Sequence, residues 1–346
     1  MSIRNLLQTY TSRPATMEDA ESAVALFNAC AQDLVGETPH DVDAQCVDWR
    51  TPQFDLERDT RIVLNEDGEL VGYAEVWDVD EPHVRIHGWG RVHPDHRGRG
   101  IGSALLAWEE ARAREAIGRA PEGTRVILGS GALVKDAPGR ELLEANGFEA
   151  VRYFRRMVIE MDRRPPDPVW PDGVTIRAFD PEKDLEATVR SVRDTFSDHW
   201  GHVDSPFEEE LEFWRHWIGE EKDFDPRIWY LAEAGDEVVA TCLCWPKRHE
   251  DPDLGWINVL GVARAWRRRG LALALLRQTF GEFYARGKRR VGLGVDAASL
   301  TGANKLYERA GMKTARESVF YEKELRSGAD LTRRTLEADG GEHEGE

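Results

Sequence analysis

Two stretches of this chain combine arginine and glycine in a pattern suited to binding phosphate. Arg267-Arg268-Arg269-Gly270-Leu271-Ala272 follows an apolar segment that ends at Val262. It precedes a segment whose Leu273, Leu276, Phe280 and Phe283 fall on one helical stripe. Read as strand, turn and helix, this leaves the first helical N–H groups without intrahelical partners, at the electropositive end of the helix dipole. A diphosphate accepts such bonds. Gly270 and Ala272 let its oxygens approach the backbone, and the arginines add charge-assisted bonds. Arg97-Gly98-Arg99-Gly100-Ile101-Gly102 has the same design, with Gly98 adding freedom to the turn. A basic turn that merely caps a helix would explain one such stretch. It explains two less well.

The elements around the turns repeat as well. Arg97 and Arg267 are 170 residues apart. Leu142-Leu143-Glu144-Ala145-Asn146-Gly147-Phe148 and Leu306-Tyr307-Glu308-Arg309-Ala310-Gly311-Met312 form a second pair, 164 residues apart. In the first half the pattern predicts a helix over Met17–Leu34, N-capped by Thr16 with Asp19 three residues on. Strands are expected at Arg61–Asn65, Leu70–Val79, Val84–Val92, Thr124–Gly129 and Tyr153–Met161. In the second half, strands are expected at Val174–Ala178, Trp229–Ala234, Glu237–Trp245, Trp256–Val262, Arg290–Val295 and Ser318–Leu325. Helices are expected at Pro181–Phe196, Pro206–Ile218, Leu271–Arg286 and Thr301–Ala310. This is an α/β chain with mixed sheets. The prolines of Arg163-Arg164-Pro165-Pro166-Asp167-Pro168 mark a linker, giving domains 1–163 and 164–326. The acidic tail, 327–346, reads as disordered.

R-x-x-G-x-G/A between strand and helix resembles the acyl-CoA pyrophosphate signature of the GNAT N-acetyltransferase superfamily. The likeness covers the chain twice, from about Leu7 to Glu160 and from about Val174 to Leu325. A dinucleotide-binding fold fits less well, because its glycine turn follows the first strand of its unit. Here the turn of the second half follows the fourth predicted strand. The resemblance implies two tandem GNAT-like domains, each a mixed, mostly antiparallel sheet flanked by helices, with acetyl-CoA as co-substrate and no metal. It implies that the strand before each turn splays from its neighbour to admit the pantetheine arm. Backbone groups of Leu260, Gly261 and Val262, and of Val92 and His93 in the first half, would bond that arm. One such N–H would polarise the thioester carbonyl.

The resemblance also assigns chemistry. Tyr307 stands where many members of the family keep the tyrosine that protonates the departing thiolate. Leu143 stands at the matching place in the first half and cannot donate a proton, so the first domain is expected to hold CoA at most. Ser299 occupies a place where the family often has a cofactor-contacting asparagine, and Asn304 is close enough in sequence to compensate. For the general base the readable candidates are Asp253, which precedes the central strand, and His199, in Ser197-Asp198-His199-Trp200-Gly201-His202. Asn258 cannot act as a base. Glu208–Glu210 read as a solvated helix face.

Composition narrows the partners. Against 46 Lys and Arg there are 64 Asp and Glu, a formal charge of −18. That balance does not attract nucleic acid or an anionic membrane, and it favours cationic small molecules such as amines. Cys30, Cys46, Cys242 and Cys244 have neither zinc-ligand nor disulfide-framework spacing and read as reduced thiols. With no signal-like N-terminal segment, the expected location is the cytoplasm. The expected activity is acetyl-CoA-dependent N-acetylation of a primary amine on a small molecule. The alternatives are a cysteinyl amine, as in mycothiol-synthase-like chemistry, antibiotic self-protection, and a non-catalytic acyl-CoA sensor.

Overall fold

The computed structural model describes residues 9–197, 199–203, 205–220, 223–248, 251–299 and 302–332. In chain order the first half builds β1 (Thr11–Arg13), α1 (Ala20–Val35), α2 (Val42–Asp48), α3 (Leu56–Asp59), β2 (Thr60–Leu64) and β3 (Leu70–Trp77). It continues through β4 (Arg85–Val92), α4 (Ile101–Glu115), β5 (Val126–Leu133), α5 (Ala137–Ala145) and β6 (Glu149–Glu160). The second half builds β7 (Thr175–Ala178), α6 (Leu185–Phe196), α7 (Phe207–Glu220), β8 (Tyr230–Ala234), β9 (Glu237–Trp245) and β10 (Leu254–Val262). It ends with α8 (Leu271–Ala285), β11 (Arg290–Asp296), α9 (Ala303–Arg309) and β12 (Lys313–Arg326).

These elements form two compact units that do not divide the chain at one point. The first contains Met1–Arg155, Lys247–Pro252 and Arg316–Asp330, and the second contains Arg156–Pro246, Asp253–Ala315 and Leu331–Glu346. A single cut after residue 163 therefore fails at both ends. The reason is strand pairing. β12 lies antiparallel to β5 from Ser318↔Leu133 to Arg326↔Val126, so it closes the sheet of the first unit. Residues of the expected disordered tail join it: Ala329 N donates to Gly123 O at 2.8 Å, and Arg125 N donates to Ala329 O at 2.8 Å. Residues 333–346 of that tail lie outside the described residues.

In the first unit the sheet runs β1-β2-β3-β4-β5-β12. One of its faces buries Ile101, Ala104 and Leu105 of α4 against Val71 and Ala74. The other packs Ala23, Leu26 and Phe27 of α1 against Tyr73 and Ile62. In the second unit the final residues of β6 are followed by β11-β10-β9-β8-β7. Its core joins Leu271, Leu275, Leu276, Phe280 and Phe283 of α8 to Cys242, Cys244, Val291 and Leu293. The stripe of Leu276, Phe280 and Phe283 expected from the sequence is thus buried, whereas Leu273 is only half-buried. Thr16 and Asp19 do start the first helical segment, Thr16 N donating to Asp19 Oδ2 at 2.8 Å. Among the described residues, no helix is long and apolar enough to cross a membrane.

Candidate active site

The site in the second unit begins with a break in pairing. β10 and β11 run parallel from Leu254↔Arg290 only as far as Ile257↔Leu293. β10 continues to Val262 and β11 to Asp296, so the two strands part. On its other edge β10 stays paired with β9 out to Val262↔Ala240, after a one-residue bulge at Asn258. Alternate residues of a strand present their backbone groups to opposite edges. Part of the Leu260-Gly261-Val262 backbone therefore faces the opening, as the resemblance implies. The first unit repeats this. β4 and β5 pair from Arg85↔Ile127 to His87↔Gly129 and then separate, without a bulge in the β3–β4 ladder.

The turn after the opening is equally regular. Ala263 N donates to Val239 O at 2.9 Å, a short 3-10 turn spans Arg264–Trp266, and α8 starts after Gly270 with no side-chain cap. Its first intrahelical bond is Ala274 N to Gly270 O, 3.0 Å, so three N–H groups remain open. Arg267 is tied down: its Nε donates to Val262 O at 3.1 Å and its Nη2 to Thr195 O at 3.4 Å. The Arg269 guanidinium lies over the Trp266 ring, 4.7 Å from its centroid. In the first unit the arginines are bound otherwise. Arg97 pairs with Asp33 at 2.6 Å, and Arg99 donates to Tyr10 Oη at 3.2 Å and to Asp95 O at 3.0 Å.

Tyr307 sits in α9, 8% exposed. Burial pushes its phenol pKa up, and Cys242 adds to this. It stays protonated at neutral pH, the form a proton donor needs. Cys242 is the cross-strand partner of Leu260, which ties Tyr307 to the open stretch of β10. Leu143 is its structural counterpart: Phe148 N donates to Leu143 O at 3.1 Å, as Met312 N does to Tyr307 O at 3.0 Å. Asn304 Nδ2 donates to Asp296 O at 2.9 Å and to Ala297 O at 3.2 Å, and its Oδ1 is buried without a partner. Ser299 N closes the turn onto Asp296 O at 3.0 Å.

His199 follows α6, its ring edge-on to Phe196 at 4.2 Å between centroids. Burial lowers its pKa, the charges of Arg267 and His202 lower it further, and Asp296 opposes them. The structure thus brings His199, Arg267 and Asp296 together at the open end of β10. It does not bring Asp253 there. That residue is exposed and immediately precedes Leu254 at the far end of β10. A rise of about 3.3 Å per residue puts it roughly 23 Å from Leu260, which removes it as a base for this site. Val92 and His93 lie at the matching opening of the first unit, where His93 N donates to Val71 O at 2.9 Å.

The sequence reading missed one group of residues. Tyr73, Glu75 and Trp77 alternate along β3 and share a face with Trp89 and Arg91 of β4, since Tyr73 pairs with Arg91 and Glu75 with Trp89. Tyr73 Oη donates to Glu75 Oε2 at 2.7 Å, Trp77 Nε1 donates to Glu75 Oε1 at 2.9 Å, and Trp49 Nε1 donates to Tyr73 Oη at 2.9 Å. The signal was a carboxylate at an inward position of an otherwise apolar alternation, Leu70 to Trp77.

Comparison with known proteins agrees with this geometry. The model of the acetyltransferase (GNAT) family matches residues 22–126 and 188–312. The mycothiol acetyltransferase of Streptomyces griseus is 30% identical over 269 residues, covering 76% of this chain and 79% of that protein. That of Thermomonospora curvata is 31% identical over 271 residues, covering 77% and 82%. A solved GCN5-related N-acetyltransferase from Sphaerobacter thermophilus is 35% identical with a TM-score of 0.79, covering 94% of this chain and 98% of that one. A tandem GNAT protein from the clavulanic acid biosynthesis pathway shares the fold, with a TM-score of 0.69 at 16% identity, covering 91% and 98%.

Proposed function

Because this chain belongs to the acetyltransferase (GNAT) family and is an N-acetyltransferase, we propose that its second unit carries the reaction, moving acetyl from acetyl-CoA to the primary amine of a small molecule. The observation that carries this reading is the parting of β10 from β11, which leads straight to the uncapped start of α8 with Tyr307 alongside. The residues suit the co-substrate. Three open amides and Arg267, Arg268 and Arg269 match a diphosphate. The orphaned Asn304 Oδ1 has the capacity to accept an amide N–H.

Bound acetyl-CoA supplies an acetyl group activated as a thioester. The backbone of Leu260-Gly261-Val262 holds the arm in the opening and polarises the carbonyl. His199, kept neutral by its surroundings, takes a proton from the incoming amine. The amine nitrogen bonds to the carbonyl carbon, the carbon–sulfur bond breaks, and Tyr307 gives its phenolic proton to sulfur. Solvent returns a proton to Tyr307 and removes one from His199, so an amide and a thiol leave. The first unit, with Leu143 in place of the tyrosine, has no proton to give and takes no part in this step.

The relatives named mycothiol acetyltransferase favour one narrower acceptor, the amine of a cysteinyl conjugate. The test is thiol release from acetyl-CoA against simple amines, amino sugars and cysteinyl conjugates. Turnover on any of these amines supports the proposal, and preference for the cysteinyl conjugates supports the narrower acceptor. Tight acetyl-CoA binding with no turnover on any of them would replace it with an acyl-CoA sensor.

A further inference from the structure

The two units share one strand register but use it differently. His93 N bonds Val71 O as Ala263 N bonds Val239 O, which aligns β3 and β4 with β9 and β10. On that alignment Glu75↔Trp89 corresponds to Leu243↔Val259, and Tyr73↔Arg91 to Thr241↔Gly261. In the second unit this face is closed: Thr241 is 0% exposed, Leu243 1% and Val259 7%. In the first, Glu75, Trp77, Trp89 and Arg91 are half-buried: Phe54 stacks on one face of Trp77 at 4.2 Å and Phe27 packs edge-on to Trp89 at 4.8 Å, and part of each residue stays exposed. Both units keep a tryptophan at one position of this face, Trp77 and Trp245, but the second unit fills the rest with Thr241, Leu243 and Val259, whereas the first has Tyr73, Glu75, Trp89 and Arg91 there and leaves the last three more exposed.

From this juxtaposition we infer that the first unit binds a small organic ammonium ion, its charge on the Glu75 carboxylate and its apolar part against Trp77 and Trp89. Glu75 is fixed in place by Tyr73 and Trp77, and each carboxylate oxygen keeps a lone pair for a further donor. The face already attracts a cation. The Arg91 guanidinium lies over the Trp89 ring, 4.2 Å from its centroid. A structural role alone does not require this arrangement, since Leu243 and Val259 fill the same register without any polar atom.

Burial pushes the Glu75 pKa up to about 7, against the hydrogen bonds from Tyr73 and Trp77. Asp48 of α2 raises it further and Arg91 of β4 lowers it. Glu109 of α4, on the opposite side of the sheet, interacts with both Glu75 and Arg91. An ammonium ion binds the ionised carboxyl, so its affinity rises as pH passes upward through 7, and binding releases a proton.

The probe is benzylammonium, with benzyl alcohol as its neutral counterpart, titrated calorimetrically into the full chain at pH 6 and pH 8. The expected result is a binding event that strengthens severalfold from pH 6 to pH 8, is absent with benzyl alcohol, and weakens at least tenfold in Glu75→Gln. Trp77→Phe keeps an aromatic ring, removes the donor to Glu75, and should weaken the same event, which covers failure of the first variant to fold. Acetyl transfer by Glu75→Gln should be unchanged. Equal isotherms for wild type and Glu75→Gln, equal binding of benzyl alcohol, or no binding event at either pH would each overturn the inference.

Discussion

Arg268 and Gly98 adopt one backbone conformation, left-handed at φ 65° and 74°. The turn before the helix needs that conformation in both units, and only one unit uses the residue that adopts it without strain. The left-handed region costs a non-glycine residue about 1–2 kcal/mol. Glycine returns part of that through greater freedom when unfolded, about 0.5–1 kcal/mol. Arg268→Gly should therefore stabilise the second unit by up to about 1 kcal/mol, read as a higher thermal midpoint. It should also raise the KM for acetyl-CoA several-fold, because an exposed cation beside the open amides is lost. A KM unchanged alongside the stabilisation would show that Arg268 does not touch the diphosphate.

Tyr307→Phe keeps the buried ring and removes the proton. General-acid assistance contributes about 10²–10⁴-fold, so kcat should fall by about two orders of magnitude. The KM for acetyl-CoA should stay within about twofold, because the mutation touches a step made only in the transition state. Unchanged kcat would take Tyr307 out of the mechanism.

Gly261 lies directly under α6. A Cβ added there would clash with Thr195 Oγ1 and stand 3.1 Å from Thr195 Cβ and 3.3 Å from Thr241 Oγ1. All three are held in packed elements, so relief requires α6 to move. Overpacking of this kind costs about 1–3 kcal/mol. Gly261→Ala should lower the thermal midpoint, and Thr195→Ala should restore part of the loss. Movement of α6 would also shift Thr195 O, which accepts from Arg267, so the KM for acetyl-CoA should rise with it.

The first unit should lose stability as pH rises. Burial raises the Glu109 pKa to about 8, far above its ordinary range, and the Glu75 charge adds to the effect. Between an unfolded value near 4.5 and a folded value near 8, the folded chain holds a proton that the unfolded chain has released. Stability therefore falls with increasing pH across that window. Gly88 and Gly90 make room for this carboxyl; a Cβ at either would stand 2.5 Å and 2.9 Å from its oxygens. Glu109→Gln should flatten the fall in thermal midpoint between pH 5 and pH 8. A midpoint that rises over the same interval in the wild type would contradict the assignment.

Removing residues 316–332 should unfold the first unit. The deletion takes away the ladder on β5 and the ion pair of Glu322 with Arg125, 3.1 Å, as well as that of Lys323 with Glu110, 2.6 Å. The expected readout is loss of one thermal transition and of amide protection along β5.

What was legible in the sequence follows from how local each feature is. The helix after Gly270, the strand before it and the turn between them are set by neighbours within about twenty residues, and all appear where the pattern put them. The pairing of β12 with β5 joins residues nearly two hundred positions apart. An alternating strand pattern says that a face is buried and leaves open which strand lies beside it. Cutting the chain at its prolines therefore missed the exchange. The short helices Val42–Asp48 and Leu56–Asp59 escaped because each is two turns or fewer, too short for a periodic stripe. Asp253 was attractive only through its nearness to a strand in the sequence. Seven residues of extended chain carry it away from Leu260, where the chemistry would occur.

The exchange of the last strand has a consequence for synthesis. By the time Ala145 has left the ribosome, nearly all of the first unit exists, yet its sheet ends at β5 with an unpaired edge. The partner strand emerges only after the whole of α8 and α9, roughly ten to thirty seconds later at about 5–20 residues per second. Through that interval the edge around Leu128 to Leu133 is open to any passing strand. The half that is made first is the half completed last, and its survival in the meantime depends on how quickly the rest of the chain follows.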